Sequence, residues 1–114
     1  MQARLKVWIE CEDGRVALSD WRVALLEAVD QHGSLVAAAR ALDIPHRTAW
    51  QRIQEMEACL SVRLLDTSSG GLGGGRSRLS AAGRDFVLRY QTLRQGLDEL
   101  VRERYQGVFA DLSV

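Results

Sequence analysis

The hydrophobic positions of this chain change period as one reads along it. Arg4-Leu5-Lys6-Val7-Trp8-Ile9-Glu10 partly alternates and is rich in strand formers, which predicts a short strand. Glu12-Asp13-Gly14 signals a turn, and Arg15-Val16-Ala17-Leu18 predicts a second strand pairing back. The period then lengthens. Trp21, Leu25, Ala28 and Val29 recur at helical spacing, with Ala24 and Leu26 widening the stripe. Ser19 suits the N-cap, Asp20 suits the positive end of the helix dipole, and Gly33 ends the helix by tolerating positive φ.

Residues 33–60 predict two helices, short then longer, joined by a turn of about three residues. Ser34 caps the first, whose inner face is Leu35, Ala38, Ala39 and Leu42. The two adjacent alanines allow the close backbone approach that crossed short helices need. Asp43-Ile44-Pro45 breaks the run, because the residue before proline disfavours the α region while proline suits the first turn of a new helix. The second helix, about 45–60, is read as burying Ala49, Trp50, Ile53, Met56 and Leu60. It turns His46, Arg47, Thr48, Gln51, Arg52, Gln54 and Glu55 outward. Such a pair is a helix-turn-helix, the element that places a helix in the major groove of DNA.

Arg63-Leu64-Leu65-Asp66-Thr67 reads as extended, Ser68 to Gly75 as a glycine-rich connector, and Arg76-Ser77-Arg78-Leu79 as a returning strand. Strand, loop and strand directly after a reading helix form the wing of a winged helix, here about 67–79. Ser80 caps a final helix running to about residue 105, in which Phe86, Tyr90, Leu93, Leu97 and Leu100 step by four, three, four and three. That is a heptad seam, flanked by Val87 and Val101 and weakened locally at Gly83 and Gly96. About 25 helical residues span roughly 37 Å, more than a small domain needs to cover its core. The seam is therefore read as inward-packed near Phe86 and Tyr90 and dimerising beyond, with Phe86, Tyr90, Leu93, Leu97, Leu100 and Val101 as its residues. The expected fold is α+β, mainly helical: a winged domain over 1–80 and a dimerisation helix and tail over 81–114, forming one structural unit.

At 114 residues with 46% hydrophobic content, one modest core is possible. No apolar run approaches the roughly 20 residues that span a bilayer, and no basic-then-apolar leader opens the chain, so a cytoplasmic protein is expected. Cys11 and Cys59 have neither metal-ligand spacing nor a disulfide framework, and are read as two reduced, partly buried thiols. The formal net charge is zero, which weighs against a nucleic-acid binder, but its distribution is uneven. Residues 1–32 carry four basic and six acidic side chains, 33–80 six and four, and 81–114 five of each. The middle is mildly cationic, so modest non-specific DNA affinity is expected. Every basic residue but Lys6 is arginine, whose fork matches phosphate and guanine edges.

The first turn of a reading helix points deepest into the groove. Here it offers His46, Arg47 and Thr48, with Gln51 and Arg52 one turn on. Arginine can engage guanine, glutamine adenine, and threonine a phosphate or a thymine methyl. Glycines at the wing tip let backbone lie against backbone, and Arg76 and Arg78 can neutralise phosphates or enter the minor groove. Gly70 to Ser77 nearly matches the phosphate-binding loop of nucleotide enzymes. However, arginine replaces the lysine, and the glycines lead into a strand rather than a helix. No catalytic constellation or cofactor motif emerges elsewhere, so no enzyme and no cofactor are expected. The rival reading is a winged-helix protein-interaction module, which an apolar outer face over 46–55 would favour.

These segments resemble the N-terminal DNA-binding domain of the molybdate-responsive ModE regulators and, more distantly, the LysR-type winged helices. The resemblance rests on Gly33-Ser34-Leu35, on Ala49-Trp50 followed by Ile53-Gln54-Glu55-Met56, and on the glycine-rich wing leading to Leu79-Ser80. It implies a homodimeric transcriptional regulator; two reading helices related by the two-fold axis of the dimerising helix would then meet a roughly palindromic double-stranded operator. Ser34, His46, Arg47, Thr48, Gln51 and Arg52 of the helix-turn-helix, with Gly73, Gly74, Arg76 and Arg78 of the wing, would be its DNA-binding residues. The β-barrel domains that bind molybdate in ModE proper have no counterpart here, so no molybdate site is expected in this chain.

Overall fold

The computed structural model describes residues 1–68 and 75–112. Two short strands, β1 (Trp8–Glu10) and β2 (Val16–Ser19), pair antiparallel as a hairpin. Three helices come next: α1 (Asp20–His32), α2 (Leu35–Ala41) and α3 (His46–Leu60). A second antiparallel hairpin, β3 (Leu65–Ser68) with β4 (Arg76–Leu79), pairs Leu65 with Leu79 and Ser68 with Arg76. The chain ends in α4 (Ala81–Arg94), α5 (Leu97–Phe109) and a 3-10 turn at Ala110–Leu112.

The predicted caps form as capping chemistry requires. Ser19, Ser34 and Ser80 accept from the backbone N–H groups of Arg22, Ala37 and Gly83. Gly33 ends α1 at φ 79° and returns its N–H to Val29. The core lies where α1 meets α2, α3 and the bases of both hairpins. It holds Leu18, Leu25, Leu26, Val29, Met56 and Leu64, all essentially without solvent contact. Ala38, Ala39 and Ala49 are equally buried, so the small residues do lie where the helices cross.

Several sequence expectations are corrected. Trp50 is 52% exposed rather than buried on the inner face of α3. Trp21 is 39% exposed, and Val23 takes its expected place in the core. Leu60, expected inside, is only partly buried against the core. Cys11 and Cys59 form a disulfide pair, Cα–Cα 5.8 Å, joining the first hairpin to the end of α3. That spacing falls in the usual disulfide range, and the linear sequence carried no sign of it.

The C-terminal helical arm is divided. Gln95 leaves the helical region and Gly96 adopts φ 80°, so α4 stops at Arg94 and α5 starts afresh at Leu97. Tyr90 is buried (3% exposed), and its hydroxyl lies 2.6 Å from Asp20 Oδ1 and 2.9 Å from the Val7 carbonyl. Its single proton goes chiefly to the carboxylate, the charged acceptor. Arg94 completes the tie, 3.1 Å from both Asp20 Oδ1 and the Leu5 carbonyl. Phe86 packs partly buried against the core, and Val87 belongs to it. Tyr90, expected in the heptad seam, is thus packed within its own chain, and Phe86 is partly covered there as well.

Beyond Gly96 the chain projects. No residue of α5 is buried, and its main packing is with the 3-10 turn. The radius of gyration, 17.4 Å, exceeds the roughly 13 Å of a compact chain this long.

Candidate nucleic-acid interface

The helix-turn-helix is built by a tight connection. After Ala41 the Leu42 N–H bonds the Ala38 carbonyl, Asp43 enters the left-handed region at φ 57°, and the Ile44 N–H returns to Ala39 at 2.9 Å. Pro45 then caps α3 without a side-chain hydrogen bond, and no acidic residue lies in its first turn. The positive end of the α3 dipole is thus left without a carboxylate and begins with His46-Arg47, a setting that favours an approaching phosphate.

The faces of α3 separate as its periodicity implies. Ala49, Ile53 and Met56 are buried. His46, Arg47, Gln51 and Gln54 are exposed, and Thr48 is half-buried. Among the described residues Arg47 makes no ion pair, so its fork is open to an outside acceptor. Arg52 behaves differently. It bonds Glu55 at 2.9 Å, while Arg22 reaches the same carboxylate at 3.6 Å and lies 3.5 Å from the Arg52 carbonyl. Burial holds the Arg22 guanidinium below its ordinary pKa, the Glu55 charge opposing that shift. Arg22 thus ties the middle of α3 to the first turn of α1, and the Arg52 guanidinium is partly engaged by Glu55. Ser34 is committed as the cap of α2 and is half-buried.

The wing is anchored at its base. Leu65 and Leu79, opposite one another, are both buried. The Ser77 N–H donates to the Gly33 carbonyl at 2.9 Å, and the Leu79 N–H donates to Asp30 at 3.1 Å. Arg84 of α4 grips the other side of Asp30 at 3.2 Å. These bonds tie β4 to the turn between α1 and α2, which fixes the wing beside the helix-turn-helix. Arg76 and Arg78 are exposed and make no ion pair among the described residues. Gly73 and Gly74, expected to touch DNA, lie outside the described residues. Because β4 runs antiparallel to β3 and no helix comes directly after the glycines, the phosphate-loop alternative is excluded.

Sequence reasoning missed Trp50 as a surface residue. It stands between Arg47 and Gln54 on the side of α3 away from the Arg22–Glu55 contact. The available signal was angular: at 100° per residue it sits roughly 90° from the axis of Ala49, Ile53 and Met56, on the flank rather than the floor.

Helix-turn-helix, wing and first hairpin together define the winged helix-turn-helix class. The chain belongs to the bacterial regulatory helix-turn-helix proteins of the LysR family, whose model matches residues 22–84. The molybdenum-pterin-binding protein MopB of Rhodobacter capsulatus is 34% identical over 80 residues, 70% of this chain and 30% of that protein. The molybdenum transport protein ModE of Azotobacter vinelandii is 36% identical over 81 residues, 71% and 30% of the two chains. The DNA-binding transcriptional dual regulator ModE of Escherichia coli (strain K12) is 27% identical over 83% of this chain and 36% of its own. The present chain thus spans about a third of the length of these relatives. Among solved structures, the DNA-binding domain of CbnR in its DNA complex superposes with TM-score 0.56 at 26% identity. The match covers 82% of this chain and 97% of that one.

Proposed function

We propose that this protein is a DNA-binding transcriptional regulator that works as a homodimer in the cytoplasm, with no catalytic step of its own. The observation carrying this reading is the outward face of α3. There Arg47 and Gln51 stand exposed beside a wing presenting Arg76 and Arg78, all three arginines without ion pairs among the described residues. Family membership and the likeness to a domain solved on DNA support it. Among the described residues no helix is long and apolar enough to cross a membrane.

Arg47 and Gln51, one helical turn apart, engage base edges, each bidentate contact worth roughly 1–3 kcal/mol of discrimination. Arg76 and Arg78 neutralise phosphates and set affinity without reading sequence. Leu93, Leu97, Leu100 and Val101 of the arm pair two chains, so two reading helices meet successive major grooves of a palindromic site. The test is selection of bound sequences from random duplex DNA. Enrichment of a palindrome is expected, with Arg47→Ala losing the preference and Arg76→Ala weakening binding to all sequences and flattening its salt dependence. Retained dimerisation with no enriched sequence would overturn the reading in favour of a protein-interaction module.

A further inference from the structure

We infer that Trp50 is a specificity-determining contact of α3, its exposed indole packing on the C5-methyl of a thymine in the major groove. The inference rests on the DNA-reading function proposed above and adds a residue and a base to it. A tryptophan buries roughly 150–250 Å² when covered, yet this one is 52% exposed on an otherwise polar helix face. Its exposed neighbours one turn away are His46 at i−4, Arg47 at i−3 and Gln54 at i+4, while Ile53 at i+3 is buried. This is one aromatic framed by a cation and an amide, not part of a continuous apolar stripe, so the surface complements a polyanion with local apolar features.

A helix about 10–12 Å across fills a major groove about 12 Å wide, so residues on its flank meet the edge of one strand. The thymine methyl is the apolar group displayed on that edge, and contact with apolar side chains is how proteins read it. Trp50 lies on the flank, roughly 90° from the buried axis of the helix. The opposite flank is occupied by the Arg22, Arg52 and Glu55 contacts. Arg47 and Gln51 then read hydrogen-bonding edges while Trp50 reads the methyl beside them.

The test uses the duplex selected by the wild-type protein, with each thymine replaced in turn by uracil, which lacks only the methyl. Binding is measured by fluorescence anisotropy at fixed salt for wild type, Trp50→Ala, Trp50→Phe and Arg47→Ala. Wild type should lose about fourfold at one thymine, the worth of one buried methyl-sized group. Trp50→Ala should bind the selected duplex more weakly and no longer distinguish thymine from uracil there. Trp50→Phe should keep part of the preference, and Arg47→Ala should lose affinity but keep the thymine-to-uracil ratio. A flat uracil scan for wild type, or an unchanged ratio in Trp50→Ala, would overturn the inference. So would wild-type DNA affinity in Trp50→Ala, which would assign the indole to a protein partner instead. Failure of wild type to select any sequence is a different result, removing the DNA-reading function and this contact with it.

Discussion

Gly83 is a position where helix propensity and tertiary packing predict opposite outcomes. It lies in the first turn of α4, where alanine is favoured over glycine by about 1 kcal/mol. Its backbone, however, runs against the loop entering the wing. A Cβ added there would overlap the Leu64 carbonyl oxygen and lie 3.2 Å from the Leu64 carbonyl carbon and 3.3 Å from Leu79 Cδ2. Ordinary heavy-atom contacts sit near roughly 3.5–4.0 Å, so α4 and Leu64 must part by about 1 Å. That movement strains the Ser80 N–H bond to Leu64, 2.9 Å, and the Ser80 hydroxyl bond to Arg63, 2.6 Å. Overpacking costs about 1–3 kcal/mol, and each weakened hydrogen bond up to about 1 kcal/mol. Set against the propensity gain, Gly83→Ala should destabilise by about 2 kcal/mol, a fall in Tm of roughly 10 °C for a domain of this size. Thermal and urea unfolding followed by circular dichroism measure it. Gly107→Ala is the comparison, because a Cβ there meets open space in α5. It should raise the helicity of the arm and leave the unfolding midpoint no lower. A Gly83→Ala protein as stable as wild type would refute the packing argument.

Reduction of the Cys11–Cys59 disulfide, separated by 48 residues, should lower stability by up to about 4 kcal/mol in the chain-entropy account; identical urea midpoints with and without dithiothreitol would contradict this. Tyr90→Phe should cost about 1.5 kcal/mol, because the hydroxyl bond to Asp20 and the tie to Val7 are both lost, and urea titration will show whether it does. The Tyr90 and Arg94 hydrogen bonds hold the Asp20 carboxyl below the usual carboxylate pKa. Its contribution should therefore be complete above about pH 4 and fade as pH falls further, a dependence that Asp20→Asn should remove. Tyr90 acts at the other extreme: burial, reinforced by the Asp20 bond, raises its phenol well above the ordinary value. Stability from this group should fall as pH rises past about 10 and should not do so in Tyr90→Phe. Leu100→Glu, at a position 45% exposed in the single chain, should leave the winged domain folded and yield monomers in sedimentation; an unchanged dimer would exclude the α5 seam.

Much of this protein is written in local rules, and those were legible in its sequence. Ser19, Ser34 and Ser80 cap helices because each hydroxyl answers N–H groups two or three residues away, an arrangement independent of the rest of the fold. Gly33, the Ala38-Ala39 pair, Pro45 and the strand pattern on either side of the glycines define the helix-turn-helix and the wing for the same reason. The outward positions of Arg47 and Gln51 come from the period of a single helix. Tertiary structure decided whatever depends on the surface across from a residue. Trp50 carries the apolar character of a core position, but on the flank of α3 about half of its surface is left to solvent. Gly83 reads as a weak point in a helix until Leu64, far earlier in the chain, is brought against it. Cys11 and Cys59 became partners only when the first hairpin docked on the end of α3. Tyr90 looks like one more heptad residue, yet Asp20 and Val7 claim it, because packing α4 on α1 satisfies its hydroxyl inside a single chain. Periodicity and capping act over a turn or two of chain, whereas burial, close approach and pairing are set by which distant segments meet.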